Sequence, residues 1–297
     1  MLLFQSTFEL ATGLPVWIGY VFAFLFGSVV GSFLNVVIHR VPREESIVFP
    51  NSACPKCGKP IKGYDNIPIL SWLILGGKCR NCKEPISPRY PAVELLTGLL
   101  WVACFWQFGF NAYLPVAVVF VTVMLALIFI DAEHMILPNV ITYPLLIAAL
   151  LVRIVFPLTV GALYFTDLFS FPLTELAGQP VWLVSLSGAV LGGLFGGGSL
   201  WLVGEIWKRL RGVDAMGMGD VKMMFGVGAL LGLKLTFLAI FIGAFTGAVA
   251  GIGYIAYQKE KDLQAQIPFG IFLGAGSIIA ILFGDPVIDW YLGMFGG

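Results

Sequence analysis

Two groups of residues have the types and spacing to do chemistry. The first is a pair of C-x-x-C knuckles, Cys54-Pro-Lys-Cys57 and Cys79-Arg-Asn-Cys82, separated by 21 residues. At that distance four thiolates can reach the corners of a tetrahedron, the arrangement that holds Zn²⁺ in small ribbons. Lys56 and Arg80 inside the knuckles would offset the negative zinc–thiolate centre. Structural disulfides or redox thiols are the competing readings, and a reducing compartment disfavours the disulfides. Four cysteine ligands leave no open coordination position, so such a zinc is structural and activates no water. The fifth cysteine, Cys104, lies in an apolar run and reads as packing.

The second group is acidic. Asp131 closes an apolar run in Phe129-Ile-Asp-Ala-Glu-His-Met-Ile-Leu-Pro-Asn139, and Asp220 opens another in Gly217-Met-Gly-Asp-Val-Lys222. A lone Asp at a helix end reads first as a cap or boundary carboxylate. Two near one membrane face read as function, because acidic groups beside hydrocarbon are costly. Gly217 and Gly219 would let the backbone approach a partner or substrate closely. Lys222 is a candidate partner for a carboxylate or a lipid phosphate. Other hydrolytic signatures are missing: there is no H-E-x-x-H, no G-x-S-x-G and no G-x-G-x-x-G, and the only histidines are His39 and His134.

The elements that must position these groups are membrane helices. Hydrophobic residues make up 59% of the 297 and charged residues 11%, with a mean hydropathy of +0.93. A soluble domain carries about a quarter charged residues, so a soluble enzyme is excluded, as is a disordered chain. Eight long apolar segments without strand alternation are predicted as helices: 15–38, 92–108, 115–130, 140–156, 181–206, 221–233, 235–257 and 268–292. The sixth is short, about 20 Å at 1.5 Å per residue, and is expected as a partial span. Glycine pairs such as Gly27/Gly31 and Gly192/Gly196 suit close helix contacts.

Lys+Arg and Asp+Glu balance at 17 each, so net charge offers no case for a nucleic-acid partner. Their placement is informative. Arg40, Arg43, Lys56, Lys59, Lys62, Lys78, Arg80, Lys83 and Arg89 crowd the connection after the first helix. Lys208, Arg209, Arg211 and Lys222 precede or open the sixth segment, and Lys259 and Lys261 follow the seventh. The positive-inside rule makes these connections cytoplasmic. Arg153 and Lys234 fall on the other side, with the loop holding Asp167 and Glu175. The first segment has no basic region before it and no small-residue cleavage site, so it reads as a retained helix. The expected organisation is an N-terminal segment with the first helix (1–40), a cytoplasmic four-cysteine domain (41–91) and a helical core (92–297). The fold class is therefore all-α and polytopic, with a small zinc-ribbon-like domain.

With these residues in place, the chain resembles the bacterial type IV prepilin peptidase/N-methyltransferase family. The matching stretches are Gly31-Ser-Phe-Leu-Asn-Val-Val-Ile-His-Arg-Val-Pro42, the double C-x-x-C domain with Tyr64-Asp-Asn-Ile-Pro-Ile-Leu-Ser-Trp72, and Ser87-Pro-Arg-Tyr-Pro-Ala-Val-Glu94. Asp131 with Leu137-Pro138, Gly217-Met-Gly-Asp-Val-Lys222 and Ile267-Pro-Phe-Gly270 complete the set. Two positions depart from the family pattern, Asn139 where Asp is common and Ile271 where Pro often stands. The resemblance implies leader cleavage of type IV prepilins or pseudopilins at the cytoplasmic face of the bacterial inner membrane. It also implies methylation of the new N-terminus with S-adenosylmethionine, an activity associated with the cysteine-rich domain. No residue stands out as the S-adenosylmethionine site.

The chemistry expected of Asp131 and Asp220 is aspartyl hydrolysis. Two carboxylates on one water share a proton; the ionised one takes a proton from water while the other polarises the carbonyl. Asp220 opens a helix and Asp131 closes one, which makes Asp220 the resting base by the helix dipole. Two other classes remain open: a proton-coupled transporter using both carboxylates, and a non-enzymatic assembly factor docking partners through its zinc ribbon.

Overall fold

The structure, a computed structural model, describes residues 2–159, 180–213, 216–258 and 268–294. Asp167, Glu175, Lys259 and Lys261, used above for orientation, lie outside the described residues. All eight predicted segments are helical, and two short helices, the first and third of the chain, were not predicted. Among the described residues the α-helices are α1 (Leu2–Thr12), α2 (Val16–Arg40), α3 (Leu70–Ile74), α4 (Arg89–Phe108), α5 (Leu114–His134), α6 (Asn139–Thr159), α7 (Val181–Arg211), α8 (Met218–Gln258) and α9 (Phe269–Gly293). Seven of them, α2 and α4 to α9, are long and apolar enough to cross a membrane. Large apolar side chains such as Phe22, Phe26, Phe237, Phe241 and Phe245 point outward, as lipid-facing helices require.

The chain forms two compact units, Met1–Ala126 and Leu127–Gly297. In the first, α2 packs on α4 through its glycines. A Cβ at Gly27 would sit 2.9 Å from the Gly98 Cα, and one at Gly31 only 2.7 Å from the Glu94 Cα. Asn35, a polar residue within α2, donates to the Tyr90 carbonyl at 3.0 Å and ties the two helices. Helix α4, grouped by sequence with 92–297, thus packs against α2 within the first unit.

In the second unit the sixth and seventh apolar segments form the two arms of α8. The helix breaks at Gly232, whose φ of 74° and ψ of −178° suit glycine alone. The chain reverses there. A Cβ at Gly196 on α7 would collide with the Met224 carbonyl and lie 3.0 Å from Thr236 Cγ2. On one straight helix those two residues would be roughly 18 Å apart. The first arm, 218–231, runs back along α7, and the second returns beside it. The first arm is only 14 residues, about 21 Å, so the predicted short segment is real. Arg153 on α6, fully buried, donates from Nε to the Ala229 carbonyl at 3.2 Å. That places a cation near the carbonyl end of the arm, where the helix dipole favours it.

Candidate functional site

The first arm of α8 begins at Met218, which puts Asp220 in its first turn. Asp131 lies in the last turn of α5, and Gly270 in the first turn of α9. These three helix ends meet. A Cβ built at Gly270 would lie 2.8 Å from Asp131 Oδ2 and 2.9 Å from Asp220 Oδ1. Two carboxylates from distant parts of the sequence therefore crowd one small space, walled on one side by a residue without a side chain. Both Asp131 and Asp220 are buried.

The surroundings are specific. The Ile271 N–H donates to Asp131 Oδ2 at 3.2 Å. A Cβ at Gly217 would stand 3.3 Å from Asp220 Oδ2, and one at Gly219 would meet the Leu137 Cβ at 2.8 Å. Leu137 also lines the Gly270 position, its Cδ1 3.1 Å away. Gly219 thus has a steric reason to lack a side chain, while a Cβ at Gly217 would crowd the Asp220 carboxylate itself. Asp131 faces an N–H in the first turn of α9 as well as closing α5, so the dipole contrast expected from sequence is offset. The pair is better described as one dyad than as a preassigned base and acid.

Lys222 pairs with neither carboxylate. Its Nζ donates to Asn139 Oδ1 at 2.9 Å and lies 5.3 Å from the Tyr143 ring centroid. The side chain thus joins the starts of α6 and α8, and Asn139, a departure from the family pattern, is its acceptor. The sequence marks Leu137 and Gly270 as parts of family-matching stretches, and Ile271 only as a departure from the pattern; their places around the carboxylates come from the packing.

In the first unit the knuckles fold as near copies. Cys54 N–H bonds Lys59 O and Gly58 N–H bonds Cys54 O; Cys79 N–H bonds Glu84 O and Lys83 N–H bonds Cys79 O. Gly58 and Lys83 occupy the same left-handed position, with φ of 67° and 62°. The sulfurs of Cys54, Cys57, Cys79 and Cys82 all lie within 4.8 Å of one another, and all four cysteines are free. Cys54 Sγ and Cys82 Sγ are 3.8 Å apart; a zinc tetrahedron with about 2.3 Å bonds has edges of about 3.8 Å. Four sulfurs converging on one point fit a metal ion better than two separate disulfides. The clustered sulfurs share protons unevenly: backbone N–H groups of Cys82 and Asn81 pull the Cys79 thiol down to about 6, while at Cys82 the Glu84 N–H is outweighed by burial and the neighbouring thiols, which push it up to about 11.

Arg80, expected to offset the sulfur charge, is engaged elsewhere. It holds the Asp65 carboxylate with Nε at 2.8 and 2.9 Å and Nη2 at 2.6 Å, and it covers the Tyr64 ring. Its guanidinium keeps the Asp65 carboxyl below the ordinary 3.8.

Known proteins share this layout. The bacterial peptidase A24 N-terminal domain matches residues 25–108, and the type IV leader peptidase family matches residues 118–252. A prepilin leader peptidase/N-methyltransferase of Aeromonas hydrophila is 38% identical, covering 97% of this chain and 98% of its own. The protein of that name from Pseudomonas aeruginosa is 35% identical, over 90% of this chain and 91% of its own. One from Myxococcus xanthus is 40% identical over 81% of this chain and 65% of its own. No solved structure matches. Similarity sustained over nearly the full length of the Aeromonas hydrophila protein, through the regions of both the cysteines and the aspartates, means that this chain belongs to the type IV leader peptidase family.

Proposed function

We propose that this protein is a multi-pass membrane aspartyl endopeptidase that removes the leader of type IV prepilins or pseudopilins and N-methylates the new amino terminus. The observation that carries the peptidase reading is the meeting of Asp131 and Asp220 at Gly270. The dyad shares one proton. Its ionised member takes a proton from the attacking water as the water oxygen bonds to the scissile carbonyl carbon. The protonated member hydrogen-bonds the carbonyl oxygen. Collapse of the tetrahedral intermediate breaks the C–N bond and delivers a proton to the departing amine. No acyl-enzyme forms, and no metal takes part.

The placement suits the substrate. A prepilin carries a hydrophobic helix with a charged leader at its cytoplasmic end, so a dyad at helix ends meets that junction without drawing charge into hydrocarbon. The basic connections orient the four-cysteine domain and both aspartates to the cytoplasmic side of the inner membrane. Cys54, Cys57, Cys79 and Cys82 hold a structural zinc. The second reaction moves the methyl group of S-adenosylmethionine from its sulfonium to the freed amine, which loses a proton. Neither the transporter nor the assembly-factor reading gains support from the Aeromonas hydrophila, Pseudomonas aeruginosa and Myxococcus xanthus relatives, each named as a prepilin leader peptidase/N-methyltransferase.

The test is leader removal by purified protein in lipid or detergent, read as a mobility shift of prepilin. Asp131→Asn and Asp220→Asn should each lower cleavage by about 100- to 10,000-fold, the range expected for losing a positioned acid or base. Both should still insert, since Asn is easier to place at a membrane boundary than a charge. Robust cleavage by either variant would sink the aspartyl mechanism.

A further inference from the structure

The four-cysteine domain exposes an unusual amount of apolar surface for a polar connection. Val48 and Phe49 are 65% and 71% exposed, and on α3 Leu70, Leu73 and Ile74 are 50%, 61% and 70% exposed. Two anchors set the depth of these segments. The Ile69 N–H, immediately before α3, donates to Glu94 Oε2 at 2.7 Å. Ile69 has a φ of 62°, rare for a β-branched residue, so the contact is held against backbone preference.

Glu94 is five residues into α4, roughly 8 Å along its axis. Helix α4 has 20 residues, about 30 Å, which is the full thickness of the hydrocarbon core. For α4 to span, Glu94 must lie at or below the polar boundary, and the start of α3 lies beside it. The second anchor is Arg40, at the end of α2, which donates to the Ser46 and Pro50 carbonyls at 2.9 and 2.7 Å. It folds residues 46–50 back against α2. There Ile47, Val48 and Pro68 share a groove of about 360 Å³ with Val29 and Phe33 of α2. Phe33 stands seven residues before Arg40, roughly 10 Å down the helix, and both it and Val29 are exposed.

We propose that residues 47–49 and α3 are two apolar plugs that seat the four-cysteine domain in the lipid interface itself, rather than above it in water. The occupant of the exposed face is the bilayer. Burying these side chains in acyl chains stabilises the seated domain as it does an interfacial amphipathic helix. Arg89 at the start of α4, and a loop richer in Lys and Arg than in acids, meet anionic headgroups around the plugs. A domain held at this depth meets bilayer-anchored substrates without leaving the interface. The inference rests on the membrane-spanning helices and not on either proposed activity.

The experiment is depth-dependent fluorescence quenching on the full chain in phosphatidylethanolamine/phosphatidylglycerol vesicles. A genetically encoded fluorescent amino acid is placed singly at Val48, Leu73 or, as control, Lys59, and metal content confirms that each domain is folded. Labels at Val48 and Leu73 should be quenched by lipids carrying a nitroxide high on the acyl chain and shielded from aqueous iodide. Lys59 should show the reverse. Quenching of Val48 and Leu73 by iodide alone would overturn the proposal, as would shielding from both quenchers, which means another protein surface covers the face.

Discussion

At the scale of single residues, Gly270 is as much a part of the dyad as its two carboxylates. A methyl group there would fall within 3 Å of an oxygen of each, so Gly270→Ala should push Asp131 and Asp220 out of register. Because a displacement near 1 Å costs about 100-fold in rate, cleavage should fall by about that factor while the protein remains folded and inserted. Steady-state kinetics on a prepilin peptide should show the loss in kcat more than in KM. Wild-type kcat in this variant would mean that the carboxylates do not act through the space at Gly270. Sequence alone marked Asp131 and Asp220 because carboxylates beside hydrocarbon are costly. It offered Gly270 only as helix packing and as part of a family-matching stretch, because a missing side chain acquires meaning only when its neighbours are known.

At the scale of elements, the reversal in α8 places Asp220. Gly232 occupies a backbone region essentially closed to other residues, so Gly232→Ala should cost about 1–3 kcal/mol. Thermal unfolding in detergent should show it as a lowered midpoint. A value unchanged from wild type would mean that the turn does not need glycine. In the other unit, the bidentate Arg80–Asp65 pair and the four sulfurs respond to acid at different points. The Asp65 carboxyl is depressed below 3.8, so its contribution is full above its unfolded value and is lost as pH falls through the folded one. Thiolates take up protons, and so release metal, at higher pH than that. Acid titration should therefore release about one zinc per chain before the ion pair breaks, and Cys54→Ser or Cys79→Ser should abolish the metal at neutral pH while the helices remain inserted. Metal analysis against pH checks both. Retention of zinc below pH 4 would contradict a four-thiolate site.

At the scale of the whole molecule, the aspartates and the cysteines belong to separate compact units, Leu127–Gly297 and Met1–Ala126. If the units divide the two reactions, Asp131→Asn and Asp220→Asn should still methylate pilin supplied already cleaved, because that transfer needs no aspartyl water. Cysteine replacement should reduce methylation more than cleavage. Transfer of a labelled methyl group from S-adenosylmethionine to mature pilin measures both. Failure of a folded Asp variant on pre-cleaved pilin would mean that the sites overlap. Failure of the wild-type chain would leave a peptidase alone.

Membrane residence, the eight helical segments and the cluster of four cysteine sulfurs are all legible in the sequence, because each depends on local composition or short spacing. Twenty apolar residues cannot stay in water, and C-x-x-C brings its own sulfurs together wherever the loop lies. The sequence also singles out Asp131 and Asp220, since each sits at the edge of an apolar run. Contacts between distant segments are different. That α5, α8 and α9 bring their ends to one point, that Lys222 bonds Asn139 and not a carboxylate, and that Arg80 turns to Asp65 were decided only by tertiary packing. The reversal at Gly232 shows why. A glycine among 36 carries no mark of its role, and only the approach of Met224 and Thr236 to the same residue of α7 reveals that the chain has turned back.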